Sequence, residues 1–161
     1  MILKNQHLDF LLKKIQEIKF ARFKAEIDSE LRLPANIIHT IKTEKDGTIW
    51  FFTSCNGYHA RKIDKHFYST LEYFQKGRDF SLRLNGTATI IEEGMESYST
   101  AIKEYNYLPE TFVLIKFKIL QAEYFEIKQP MKASLKTKVR YLFSDLFFTQ
   151  SYKVFDFSKT A

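Results

Sequence analysis

Apolar residues recur at three- and four-residue intervals through Leu8, Leu11, Leu12, Ile15 and Ile18, the spacing of one helix face. They predict an amphipathic helix over residues 5–19, with Asn5 as its N-cap. The period then drops to two. Ala21, Phe23, Ala25 and Ile27 alternate with Arg22, Lys24, Glu26 and Asp28, as in a strand with one wet face. A turn at Ser29-Glu30 leads into a second strand over 31–43, where Pro34 marks an edge or irregular position. Asp46-Gly47 carries a turn signal ahead of Thr48 to Thr53, the strongest strand in the chain, dense in β-branched and aromatic residues.

Beyond the polar turn Ser54 to Gly57, a short helix is expected over 58–66, then strands over 67–74 and 79–91. Gly86 interrupts the second of these, the natural place for a bulge or bend. Met95, Tyr98, Ile102 and Tyr105 return to helical spacing within 93–105, and Val113, Ile115, Phe117 and Ile119 alternate in a last long strand. Short meandering strands with a few helices imply an α+β fold around a small antiparallel barrel.

Composition narrows the class. A chain of 161 residues with 16 Phe, nine Tyr and one Trp can build one sizeable core and an aromatic-lined pocket or interface. One cysteine excludes an intrachain disulfide. The first twenty residues lack the apolar run of a signal peptide, and no stretch approaches the ~18 apolar residues of a membrane span. A cytoplasmic domain without a membrane partner is therefore expected.

The net charge of +6 is unevenly placed: residues 129–161 hold six Lys/Arg against two Asp, and residues 1–128 hold nineteen against seventeen acids. Cations from Lys128 to Arg140 precede the aromatic run Tyr141-Leu142-Phe143 and Leu146-Phe147-Phe148. Such a mixture can stack nucleic-acid bases. Burial against the body is the favoured reading, because each Phe left in water forfeits about 1.5–3 kcal/mol. We therefore expect residues 1–128 to form the domain and 129–161 an extension packed on it, with nucleic acid the least favoured partner.

One segment has the makings of an anion site. A strand ends at Thr53, and a Gly-containing loop opens the expected helix near Tyr58, whose first N–H groups favour phosphate. Thr53, Ser54 and Asn56 add donors, and His59, Arg61 and Lys62 add positive charge. The same residues also read as an ordinary N-cap with solvated basic side chains. Cys55 and His59 lack the orienting group of a nucleophilic pair. The four histidines show no metal-ligand spacing, and no P-loop or dinucleotide glycine motif occurs. No catalytic residue or metal ligand is assigned.

The order of elements joins particular residues: Asp46 to Thr53, the polar loop ending at Ile63, the strand Phe80 to Ala88, and Val113 to Phe117 continuing through Ala122 to Phe125. Together they resemble the pyridoxamine 5'-phosphate oxidase-like FMN-binding split barrel, in its general stress protein branch. The resemblance implies a six-stranded antiparallel split β-barrel with flanking helices, and a homodimer with FMN at the subunit interface. As an enzyme, such a protein would exchange hydride at the flavin with a reduced nicotinamide or deazaflavin and act on a small-molecule substrate that the sequence does not name. It implies phosphate contacts at the positions of Asn36 and His59 and isoalloxazine contacts at Ile37, Ile38 and His39, and any flavin phosphate is expected against the donors and cations Thr53, Ser54, His59, Arg61 and Lys62. Trp50 and Phe52 read as core aromatics or as flavin platforms, and Phe117, Tyr124 or Phe125 are expected near the dimer interface. Resembling proteins often carry Arg where this chain has Asn36, Lys where it has His59 and Trp where it has Phe125. The alternative is thus a degenerate split barrel without flavin, acting as a binding or structural protein.

Overall fold

The computed structural model describes residues 2–27, 33, 35–55, 62–105, 111–128 and 149–158. Helix α1 (Ile2–Ile18) buries Leu8, Leu11, Leu12, Ile15 and Ile18 along one side. It starts at Ile2, so Asn5 lies inside the helix and not at its cap; nothing in the preceding residues breaks a helix. The helix stops at Lys19, which adopts a left-handed φ of 65° and donates its N–H to the Ile15 carbonyl at 2.8 Å. The Lys19 carbonyl accepts from the Thr40 N–H at 2.8 Å, which turns the chain directly into the sheet.

The strands are β1 (Phe20–Glu26), β2 (Asn36–Thr43), β3 (Thr48–Ser54), β4 (His66–Tyr73), β5 (Phe80–Ile91), β6 (Phe112–Lys128) and β7 (Thr149–Asp156). A 3-10 turn, Met95–Tyr98, runs into helix α2 (Ser99–Glu104). The strands pair antiparallel in the order β3-β2-β1-β4-β5-β6-β7, and a further β3–β6 pairing closes the first six into a barrel. The fold is the α+β split barrel that the sequence suggested. Strand β6, 17 residues long, makes this possible. On one edge it pairs with β3 from Phe112 to Lys118 and with β7 from Gln121 to Lys128, while β5 runs along the other edge.

Three further boundaries depart from the sequence reading. The second strand begins at Asn36 and not at residue 31; Leu33 and Ala35 are outside any strand, and Pro34 lies outside the described residues. Proline offers no N–H to a ladder and restricts its predecessor, so pairing starts beyond it. Of the helix expected over 58–66, residues 58–61 lie outside the described residues, residues 62–65 are not helical, and His66 opens β4. The Lys65 carbonyl already accepts the Ile90 N–H at 2.8 Å, so this stretch is committed to β5. The expected helix over 93–105 divides into the 3-10 turn and α2.

The main core joins the buried face of α1 to the inward residues of the barrel, among them Phe23, Ile38, Phe51, Leu71, Leu84 and Phe117. Gly86 sits at a register break between β5 and β6. A Cβ there would lie 2.1 Å from the Lys118 carbonyl oxygen and 2.7 Å from the Phe117 ring, which accounts for the glycine. A second cluster, Phe52, Phe112 and Leu114, lies outside the barrel wall beneath Met95, Tyr98 and Ile102. On β7 and just after it, Phe155 and Phe157 are buried, and the Phe157 N–H donates to the Leu120 carbonyl at 2.6 Å; Phe143, Phe147 and Phe148 lie outside the described residues. Phe117 and Tyr124, expected near a dimer interface, are instead inside: Phe117 fills the barrel, and Tyr124 is covered by Phe10 and Phe80. Only Phe125 of the three is half-exposed. No helix among the described residues is long and apolar enough to cross a membrane.

Candidate functional site

The start of β2 and the end of β3 are tied together from within. The Thr53 hydroxyl donates to Asn36 Oδ1 at 2.9 Å, and Thr53 is buried. Both side chains face the barrel interior, so strand alternation turns their neighbours Ile37 and Ser54 outward at the same end of the sheet. Both are exposed, Ile37 at 68%. Ile38, one residue on, is fully buried in the core.

The outward aromatics of β3 serve packing. Phe52 is 1% exposed, with edge contacts to Phe112 (5.0 Å) and Tyr98 (6.1 Å). Trp50 stacks on Tyr98 and donates its Nε1–H to Glu44 Oε1 at 3.0 Å. Of the loop that was expected to hold phosphate, Ser54 and Lys62 are exposed, while Asn56, His59 and Arg61 lie outside the described residues. Cys55 is buried, and that burial pushes its thiol up, away from the thiolate a nucleophile needs. Among the described residues, no three His, Cys, Asp or Glu side chains are placed to hold a metal ion.

Next to Ile37 lies a cleft of about 370 Å³, walled by Phe20, Ala21, Ile37 and Phe74 and rimmed by Arg22 and Glu72. Its size falls within the range of small-molecule sites, ~300–1,000 Å³. Phe20 and Phe74 are exposed at 52% and 69%. Phe20 could have been found by continuing the period-two pattern of β1 one residue back. Phe74 closes the strand expected over 67–74, on its outward set, and the structure puts it just past the last paired residue of β4.

His39 stands beside this cleft. Its ring packs against Phe20 (centroids 4.8 Å) and Tyr105 (4.2 Å), and Nε2 lies 3.0 Å from the Tyr105 hydroxyl. Nδ1 is buried and has no hydrogen-bond partner among the described residues. Burial, then the charge of Lys19, holds this imidazole below its ordinary pKa, with Glu104 acting weakly in the opposite sense.

The closed six-strand ring, the over-long β6 and the outer helix define the chain as a split barrel. No protein-family model matches the chain, and no curated protein matches it in sequence. Solved structures do. One is a protein from Clostridium acetobutylicum related to general stress protein 26 of B. subtilis, in the pyridoxinephosphate oxidase family. It superposes with a TM-score of 0.57 at 12% identity over 96% of this chain and 97% of that one. Another is the general stress FMN/FAD binding protein from Xanthomonas citri, with a TM-score of 0.57 at 13% identity over 83% and 94%. The chain has the fold of the general stress protein 26 and pyridoxamine 5'-phosphate oxidase group; at these identities the likeness is one of fold.

Proposed function

We propose that this protein is an FMN-binding flavoprotein that works as a homodimer, with the flavin ring in the cleft of Phe20, Ile37 and Phe74 and the phosphate toward the loop from Thr53 to Lys62. The observation that carries the reading is the shared fold with a general stress FMN/FAD binding protein along 94% of that chain. The residues fit the group. A flat aromatic ring system needs apolar walls, which the cleft offers, and a phosphate needs exposed donors and a cation, which Ser54 and Lys62 offer. Bound FMN would bring hydride-transfer chemistry of its own, and the chain would supply position, exclusion of water and local charge. The reading includes oxidoreductase activity with a reduced nicotinamide or deazaflavin as donor.

A second reading, a split barrel without flavin, has its own support. Asn36 spends its side-chain oxygen on Thr53, and Lys62 is the one cation of residues 53–62 that the structure describes. FMN titrated with the purified protein separates the two. Quenching of flavin fluorescence with saturable one-per-chain binding supports the first, and unchanged fluorescence supports the second.

A further inference from the structure

Phe20 and His39 are partners across the β1–β2 ladder. Phe20 walls the cleft and His39 is not among its lining residues, so an effect of His39 on a ligand there passes through Phe20. The two rings meet nearly edge to face, at 4.8 Å and 75°, a geometry that aromatic pairs favour. Phe20 is exposed at 52%, and the His39 ring is its aromatic neighbour among the described residues. The imidazole packs in turn on the Tyr105 ring, at 4.2 Å. Tyr105 closes α2, with its N–H bonded to the Ala101 carbonyl at 3.1 Å, and Ala101 and Ile102 rest on the Phe52 cluster. A chain of contacts therefore runs from α2 through Tyr105 and His39 to the wall of the cleft.

The imidazole has a place for one proton and not for two. Its Nδ1 is buried without a hydrogen-bond partner among the described residues, while Nε2 lies 3.0 Å from the Tyr105 hydroxyl. A buried, unpaired N–H is the costlier state. The neutral ring therefore keeps its proton on Nε2, donating to the Tyr105 oxygen, and leaves Nδ1 bare. A second proton would put an N–H and a positive charge in that dry place. Lys19, at the junction of α1 and β1, opposes the charge, and Glu104, at the end of α2, favours it less than burial and Lys19 disfavour it. Tyr105 stays neutral, because burial and then Glu104 raise its pKa. Hydrating a protonated Nδ1 requires the ring to swing out, and that movement undoes its contact with Phe20.

We propose that His39 is a positioning residue of the cleft: neutral and tied to Tyr105, it holds Phe20 as a wall, and on taking a proton it releases that wall. The inference rests on the flavin reading for its ligand, a flavin ring, while the coupling of His39 to Phe20 stands apart from it. The probe is riboflavin, which does not carry the phosphate that itself titrates near pH ~6. Affinity follows the fraction of protein in the competent state. Native protein should therefore bind riboflavin about threefold or more weaker at pH 5 than at pH 7.5, in fluorescence titrations. His39→Gln keeps an N–H donor for the Tyr105 oxygen and cannot titrate, so its affinity should be the same at both pH values. An equal pH dependence in native and variant protein, or none in the native protein, would overturn the proposal. A second measurement uses the flavin-free protein. The Phe20 side chain, read by NMR from the three-bond couplings of its Hβ protons, should pass from one rotamer to averaging as the His39 ring takes its proton, and should not change in His39→Gln. A Phe20 rotamer indifferent to that titration would overturn the coupling. If riboflavin binds at neither pH, the flavin reading falls, and the Phe20 couplings alone decide whether His39 holds that wall.

Discussion

Gly86 shows how one residue can carry a barrel closure. It faces the Lys118 carbonyl so closely that any side chain must push β5 away from β6 at the register break. Gly86→Ala should therefore cost about 3 kcal/mol, the upper part of the usual range for overpacking, read as a lowered urea midpoint at an unchanged slope. His39 gives a pH-dependent counterpart. Its folded pKa lies below the unfolded value of about 6.5, through burial first and Lys19 second. Above that pH both states are neutral. As pH falls through it toward the folded pKa, the unfolded chain takes the proton first, and stability is lost across that window. Native protein should lose more stability between pH 7.5 and pH 5 than His39→Gln, in paired urea titrations; equal losses would remove His39 from the account. At this scale the sequence was informative about alternation and silent about cover. The period-two pattern separates outward Ile37 from inward Ile38, but it cannot show that outward Phe52 is buried, because Tyr98 and Phe112 cover it from more than forty residues away.

Elements were legible where their period was unbroken. Helix α1 and strands β1, β3, β4 and β5 lie within a few residues of where the hydrophobic pattern puts them. In β6 the simple alternation ends at Ile119, yet the strand runs on to Lys128. The reason is the bulge: Gly86 pairs with Ile119 and Asn85 with Gln121, so Leu120 is left over and the inward set shifts phase to Ala122 and Tyr124. A one-residue shift looks like a strand end to anyone counting in twos. The second half of β6 matters because β7 depends on it. Deleting residues 149–161 removes buried Phe155 and Phe157, each worth about 1.5–3 kcal/mol, and bares the outer edge of β6. A melting temperature several degrees lower is expected; an unchanged one would make β7 dispensable.

At the scale of the molecule, closure comes from a pairing no local pattern announces: β3 meets β6, with Ser54 opposite Phe112 and Thr48 opposite Lys118. The candidate site inherits that difficulty, since its walls come from β1, β2 and the end of β4. The proposed phosphate end is a matter of donors and cations close in sequence, and two of these, Ser54 and Lys62, are exposed. FMN and riboflavin differ only in the phosphate, so they can report on the two ends separately. Ser54→Asp puts a negative charge at the phosphate end and leaves the apolar cleft alone. Because Ser54 is exposed, the substitution should leave stability within about 0.5 kcal/mol. FMN affinity should then fall by about tenfold or more through like-charge repulsion, while riboflavin affinity stays as it was. Fluorescence titrations of both flavins against both proteins measure this directly. A parallel loss for riboflavin would mean the ring itself sits near Ser54, and no loss for either would put the phosphate elsewhere on the barrel.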